Sequence, residues 1–108
     1  MIEQLLTRVA KILEDHQIAY MVIGGQAVLV YGRTRVTRDI DVTLGLGVER
    51  LADILEVCEK LGLTILSDNP SEFAADTMVL PAEDVESGIR VDFIFSFLTA
   101  NSPDEPRV

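Results

Sequence analysis

Arg38-Asp39-Ile40-Asp41-Val42 is the stretch on which the reading of this 108-residue chain turns. Side chains alternate across a strand, so Asp39 and Asp41 fall on one face and Ile40 and Val42 on the other. Two carboxylates at adjacent same-face positions repel each other unless a cation sits between them. A second stretch of the same kind follows at Arg90-Val91-Asp92-Phe93-Ile94, where Asp92 stands in strongly apolar company. Upstream, Val22-Ile23-Gly24-Gly25 is an apolar strand that runs into two glycines.

Carboxylates inside apolar strands are costly, because burial disfavours the charged form. A compensating cation is therefore expected. Mg²⁺ takes hard oxygen ligands, keeps several waters, and binds one or two carboxylates together with substrate phosphates. Two such ions, roughly 3.5–4 Å apart, clamp the attacking and leaving oxygens of an in-line displacement. Asp39 and Asp41 on one strand and Asp92 on a neighbour are the candidate ligands. The glycines supply a second element. The apolar run Gln26-Ala27-Val28-Leu29-Val30-Tyr31 reads as a short helix from about Gly25 to Tyr31. A strand, a glycine turn and a helix start would aim free backbone N–H groups at an anion, and glycine lets phosphate approach closely.

The ordered set of these three elements resembles the nucleotidyltransferase superfamily that includes DNA polymerase beta. The sub-pattern Gly24-Gly25-Gln26-Ala27, Gly32, Arg35, Thr37, Asp39, Ile40, Asp41 is similar to small prokaryotic members. Those include minimal nucleotidyltransferases and toxin or antitoxin proteins related to abortive-infection systems. The likeness covers roughly residues 18 to 95. It implies an α/β (α+β) domain with the nucleotidyltransferase fold, a mixed sheet carrying helices mainly on one face. It implies transfer of an NMP, AMP from ATP first among them, to a hydroxyl of a protein, RNA or small molecule, with release of pyrophosphate. Asp39 and Asp41 would hold the two Mg²⁺ ions that carry the nucleoside triphosphate. Asp92 would complete the second metal site and help deprotonate the acceptor. Gly24 and Gly25 would hold the β- and γ-phosphates. Family members with Gly-Ser place a serine hydroxyl on a phosphate, and Gly25 offers none; Gln26, Arg33 or Arg35 would cover that contact. The resemblance leaves two other readings open: a catalytically silent scaffold in a toxin–antitoxin pair, and a nucleotide sensor without turnover. A partner protein or a homodimer fits the first, and strand surface around Phe93, Phe95 and Phe97 would suit an interface.

Each candidate residue also has a plain structural reading. Asp39-Ile40-Asp41-Val42 is ordinary amphipathic alternation, and Asp92 can pair with Arg90. Arg33, Arg35 and Arg38 either balance nearby aspartates or meet phosphate, for which a guanidinium fork is well shaped. Thr37 is a turn residue or a group that orients the carboxylates. Gln26 is a helix cap or a phosphate contact. His16 stands alone and has no partner for a zinc set, so a surface or helix-end role is expected. Cys58 falls on the apolar face of a helix and is expected in the core.

Composition narrows the rest. The chain has 18 acidic and 9 basic residues, a net charge of −9, which argues against a standing nucleic-acid footprint or an anionic membrane surface. One cysteine forbids an internal disulfide and suits a cytoplasmic protein. No apolar run reaches the ~20 residues of a membrane span.

Periodicity predicts a helix over about 2–15, from Ile2, Leu5, Leu6, Val9, Ile12 and Leu13, and another over about 48–61, from Leu51, Ile54, Leu55, Cys58 and Leu61. Gly62 is a natural cap for the second. Strands are predicted at 18–23, 39–44, 63–66, 73–80 and 89–97. Residues 32–38 read as a polar loop with three arginines, and Pro81 as a strand end. The domain is expected to occupy residues 1–98, followed by a flexible tail at 99–108.

Overall fold

A computed structural model describes residues 2–24, 27–30, 33–36 and 39–96. The chain forms an α+β domain. Its elements are α1 (Ile2–Asp15), β1 (Tyr20–Gly24), β2 (Ala27–Val30), β3 (Arg33–Val36), β4 (Asp39–Leu44), a 3₁₀ turn (Val48–Arg50) leading into α2 (Leu51–Leu61), β5 (Thr64–Ile65), α3 (Pro70–Thr77), β6 (Val79–Asp84) and β7 (Ile89–Phe95). Five strands make one mixed sheet in the order β1-β4-β7-β6-β5, and β2 pairs with β3 in a second, two-stranded sheet. β4 and β7 run parallel, while β1–β4, β6–β7 and β5–β6 are antiparallel.

One hydrophobic cluster holds the layers together. Leu5, Val9 and Leu13 of α1 and Leu51, Ile54, Val57, Cys58 and Leu61 of α2 pack in the same buried cluster as Ile40, Val42 and Leu44 of β4 and Val91, Phe93 and Phe95 of β7. Both helices therefore cover one face of the sheet, as expected. Cys58 is buried there, and burial pushes its thiol up to about 12. The helix ends are well determined. At the end of α2, the Gly62 N–H donates to the Glu59 carbonyl and the Leu63 N–H to the Cys58 carbonyl. This is a Schellman cap, with Gly62 in the left-handed region at φ 75°. A Cβ at Gly62 would meet nothing within 4 Å, so the backbone angle, not space, calls for glycine. α1 closes by the same pattern of bonds, Gln17 N–H to Glu14 and Ile18 N–H to Leu13, with Gln17 at φ 59°. His16 lies just past α1, with Nε2 at 3.1 Å from Lys60 Nζ.

Four expectations are corrected. Residues 27–30 are a strand, not part of a helix, and residues 33–36 are a strand, not a loop. The register pairs Ala27 with Val36 and Val30 with Arg33, so two residues, Tyr31-Gly32, separate the strands. A short apolar run rich in β-branched residues fits either state, and here a partner strand decides it. The helix whose N-terminus would have faced an anion is thus replaced by a strand.

Residues 70–77 form α3 where a strand was expected. The Asn69 side chain accepts from the Glu72 N–H, and Pro70 takes the first helical turn, where its missing N–H costs nothing. Only Ala74 of α3 is buried, so apolar periodicity is nearly absent from it.

Pro81, expected to end a strand, sits inside β6 opposite Asp92. Its carbonyl accepts from the Leu66 N–H at 2.9 Å, so its ring nitrogen faces the β5 side as well. The missing donor interrupts the β5–β6 ladder and leaves β6–β7 intact, and β5 stops at Ile65. The expected tail at 99–108 lies outside the described residues.

Phe93 is fully buried at the centre of this cluster. Phe93→Ala is expected to cost about 3–5 kcal/mol, whereas Met21→Ala, on an exposed side chain, stays within about 0.5 kcal/mol; urea unfolding of both variants checks the contrast. Cys58 gives a second outcome. Its thiol holds its proton more tightly folded than unfolded, so unfolding releases a proton at alkaline pH and stability falls as pH rises from about 9 toward about 12. At pH 8 a thiol reagent should label the folded protein far more slowly than the protein in urea.

Candidate cation site on the open sheet face

The alternation in β4 is as the sequence requires. Ile40, Val42 and Leu44 are buried; Asp39 is exposed, and Asp41 and Thr43 are half-buried on the opposite face. In β7, Ile89, Val91, Phe93 and Phe95 turn inward, which leaves Arg90, Asp92 and Ile94 on that same open face. The parallel register then sets Asp41 directly beside Asp92 and Asp39 beside Arg90. Neighbouring strands lie about 4.8 Å apart, so the three aspartates share one small patch of sheet. Gly24, the last residue of β1, is opposite Ile40, which brings the glycine end of β1 to the same end of the sheet.

The patch carries its own cation. Arg90 Nε donates to Asp92 Oδ1 at 2.9 Å, with side chains 49% and 20% exposed. The guanidinium holds its proton more firmly than an ordinary arginine. The hydrogen bond to Asp92 is the first cause and the Asp92 charge the next; Asp39 and Asp41 add to it, against an opposing effect of burial. Glu83 of β6 faces Arg90 from the other side of β7. The acidic stretch 82–88 reads as a loop by composition, yet Glu83 belongs to β6. The signal that could have found it is the two-residue spacing of Leu80 and Ala82, both buried, which sets Glu83 on the other face of the strand, although Pro81 between them is buried too.

The electrostatics differ from expectation in one respect. None of the three aspartates is buried, and no polar or charged residue among those described is. The desolvation cost inferred from their apolar neighbours is therefore largely avoided, because those neighbours turn to the other face. Among the described residues, no group of three or more His, Cys, Asp or Glu side chains is drawn together closely enough to hold a metal ion. The donor chemistry at the patch nevertheless suits a hard divalent cation: carboxylate oxygens only, at adjacent register positions, open to solvent for the waters Mg²⁺ retains.

Gly25, Gln26 and Thr37 lie outside the described residues. Arg35 belongs to β3, paired with Val28 in the second sheet. The interface suggested around Phe93 and Phe95 is corrected, since both are in the core; Phe97 lies outside the described residues. A hollow of about 400 Å³ is lined by Gln4, Leu5, Arg8, Asp84, Glu86 and Ser87, and none of the three aspartates borders it. Among the described residues, the candidate site is a face of the sheet that lies apart from this hollow. No helix among the described residues is long and apolar enough to cross a membrane. No protein-family model, curated protein or solved structure matches the chain.

Like charges directly opposite on neighbouring strands are destabilising. Asp41→Asn, which removes the charge beside Asp92, is expected to raise the stability of the metal-free protein by up to about 1 kcal/mol at low ionic strength. Thermal unfolding at low and at 1 M salt checks it, and screening should shrink the gain.

Proposed function

We propose that this domain is a Mg²⁺-dependent nucleotidyltransferase that moves an NMP, AMP from ATP in the first instance, onto an acceptor hydroxyl. The observation that carries the reading is the register of β4 against β7, which puts Asp41 beside Asp92 with Asp39 two residues away on the same face. The motif order supports it as well. The Gly24 end of β1 adjoins the acidic start of β4, as a phosphate-bearing substrate held between glycines and carboxylates would need.

In this reading Asp39 and Asp41 hold the cations that carry the triphosphate, and Asp92 faces the acceptor. Mg²⁺, when bound, supplies positive charge against the phosphates and stabilises the charge that develops in the displacement. The acceptor oxygen forms a bond to the α-phosphorus, and its proton passes to Asp92. The bond from that phosphorus to the bridging oxygen breaks, and pyrophosphate leaves with the electron pair. The phosphate-binding role proposed for Gly24 rests on backbone approach at the end of β1 rather than on a helix dipole, since a strand follows. The Mg²⁺ ions themselves would offset part of the net charge of −9 locally.

Isothermal titration of ATP with Mg²⁺ into the wild type and into the Asp39→Asn/Asp41→Asn double variant tests the reading. Saturable binding by the wild type, weakened at least ten-fold or lost in the double variant, is the expected result. Equal binding by both, or binding by neither, overturns it.

A further inference from the structure

The chain has two lysines, Lys11 and Lys60, and their surroundings differ. Lys60 stands in the last turn of α2, and its Nζ lies 3.1 Å from Nε2 of His16, at the end of α1. The same Nζ is 3.4 Å from Glu56 Oε2, one helical turn back. Lys11 is exposed on α1 and has no hydrogen bond or ion pair among the described residues. An ammonium group has donors and no acceptor, so the imidazole nitrogen that meets it is the unprotonated one. The end of α1 fixes the backbone that carries this ring. The His16 N–H donates to the Ile12 carbonyl at 3.1 Å, and the next residue, Gln17, turns the chain at φ 59°. We infer that Lys60 is a site of covalent acylation by small acyl thioesters, with His16 as the base that takes the proton from its amine.

A lysine nitrogen attacks only after its ammonium has lost a proton, and a base within hydrogen-bond reach shortens that step. Nε2 of His16 takes the proton. The freed amine attacks the thioester carbonyl, and a carbon–nitrogen bond forms. The carbon–sulfur bond breaks, and the thiolate leaves with the electron pair and takes the proton back from the imidazolium. The second proton of the attacking nitrogen passes to water. The products are a lysine amide, a thiol and one released proton. The Lys60 side chain is 47% exposed, so a small thioester reaches it from solvent. Glu56 keeps Nζ beside the ring but also favours the ammonium form, so the imidazole and not exposure sets the rate. Acylation removes the charge of Lys60 and with it the ion pair to Glu56. None of this involves the carboxylate patch.

Lys11 is the internal standard, so the wild type alone supplies a first test. The full chain is incubated with S-acetyl-N-acetylcysteamine, a small uncharged acetyl thioester, and acetylation of each lysine is followed over time by peptide mass spectrometry. Lys60 is expected to acetylate at least about ten-fold faster than Lys11, a modest share of the roughly 10²–10⁴-fold that a positioned base supplies in an enzyme site. His16→Gln keeps a polar side chain beside Lys60 and removes the base, and circular dichroism confirms that it is folded. In this variant the Lys60 rate should fall toward that of Lys11, while the Lys11 rate stays as in the wild type. In urea the two lysines of the wild type should react alike, because the advantage of Lys60 comes from the fold. Equal rates at Lys60 and Lys11 in the folded wild type, or no acetylation of Lys60, overturn the inference. So does a Lys60 advantage that survives unchanged in His16→Gln or in urea.

Discussion

The parallel pairing of β4 with β7 is the constraint from which the rest follows. Ile40, Val42 and Leu44 on one strand and Val91, Phe93 and Phe95 on the other are buried on the helix-bearing side. Because side chains alternate with a period of two, a one-residue slip of either strand would send that whole set to the open face and drive carboxylates into the core. The hydrophobic layer therefore fixes where the charges go. Asp41 stands beside Asp92 because Ile40 stands beside Val91 and Val42 beside Phe93, and no attraction between the aspartates is needed to hold them together.

The core thus maintains an arrangement that is electrostatically unfavourable on its own. Like charges are held at neighbouring register positions, and Asp39 adds a third. Arg90 answers part of this locally through its bond to Asp92. Such a site is cheap to build on an open face, where solvent screens the carboxylates, and would be expensive inside the protein. The placement also explains how strongly apolar strands can carry acids. The buried apolar residues and the acids occupy alternate positions, and Ile94 is the apolar residue of β7 on the acidic face.

Legibility varied with the kind of signal each segment carries. α1 and α2 announce themselves by apolar repeats at helical spacing, and both formed close to the expected limits. β4 was readable from alternation over Asp39–Leu44, and Gly62 from its position after the last apolar residue. α3 was missed because it buries little more than Ala74; its signal lay in the cap, Asn69 and Pro70, not in periodicity. Residues 27–30 were misread because a run of small and β-branched apolar residues satisfies helix and strand templates alike. Pro81 misled because a proline breaks only the ladder its nitrogen faces, and which ladder that is depends on the neighbouring strand.

The sequence by itself determined which residues alternate, so it settled that Asp39 and Asp41 share a face, that Asp92 opposes Val91 and Phe93, and that two amphipathic helices each have an apolar face to bury. These are local consequences of backbone periodicity. Only the tertiary structure decided that the two acidic strands are neighbours, that they run parallel, and that their register sets Asp41 beside Asp92 and Arg90 between Asp39 and Glu83. Strand order and register are set by long-range burial of side chains far apart in the chain, and no local pattern encodes which strand a given strand will meet.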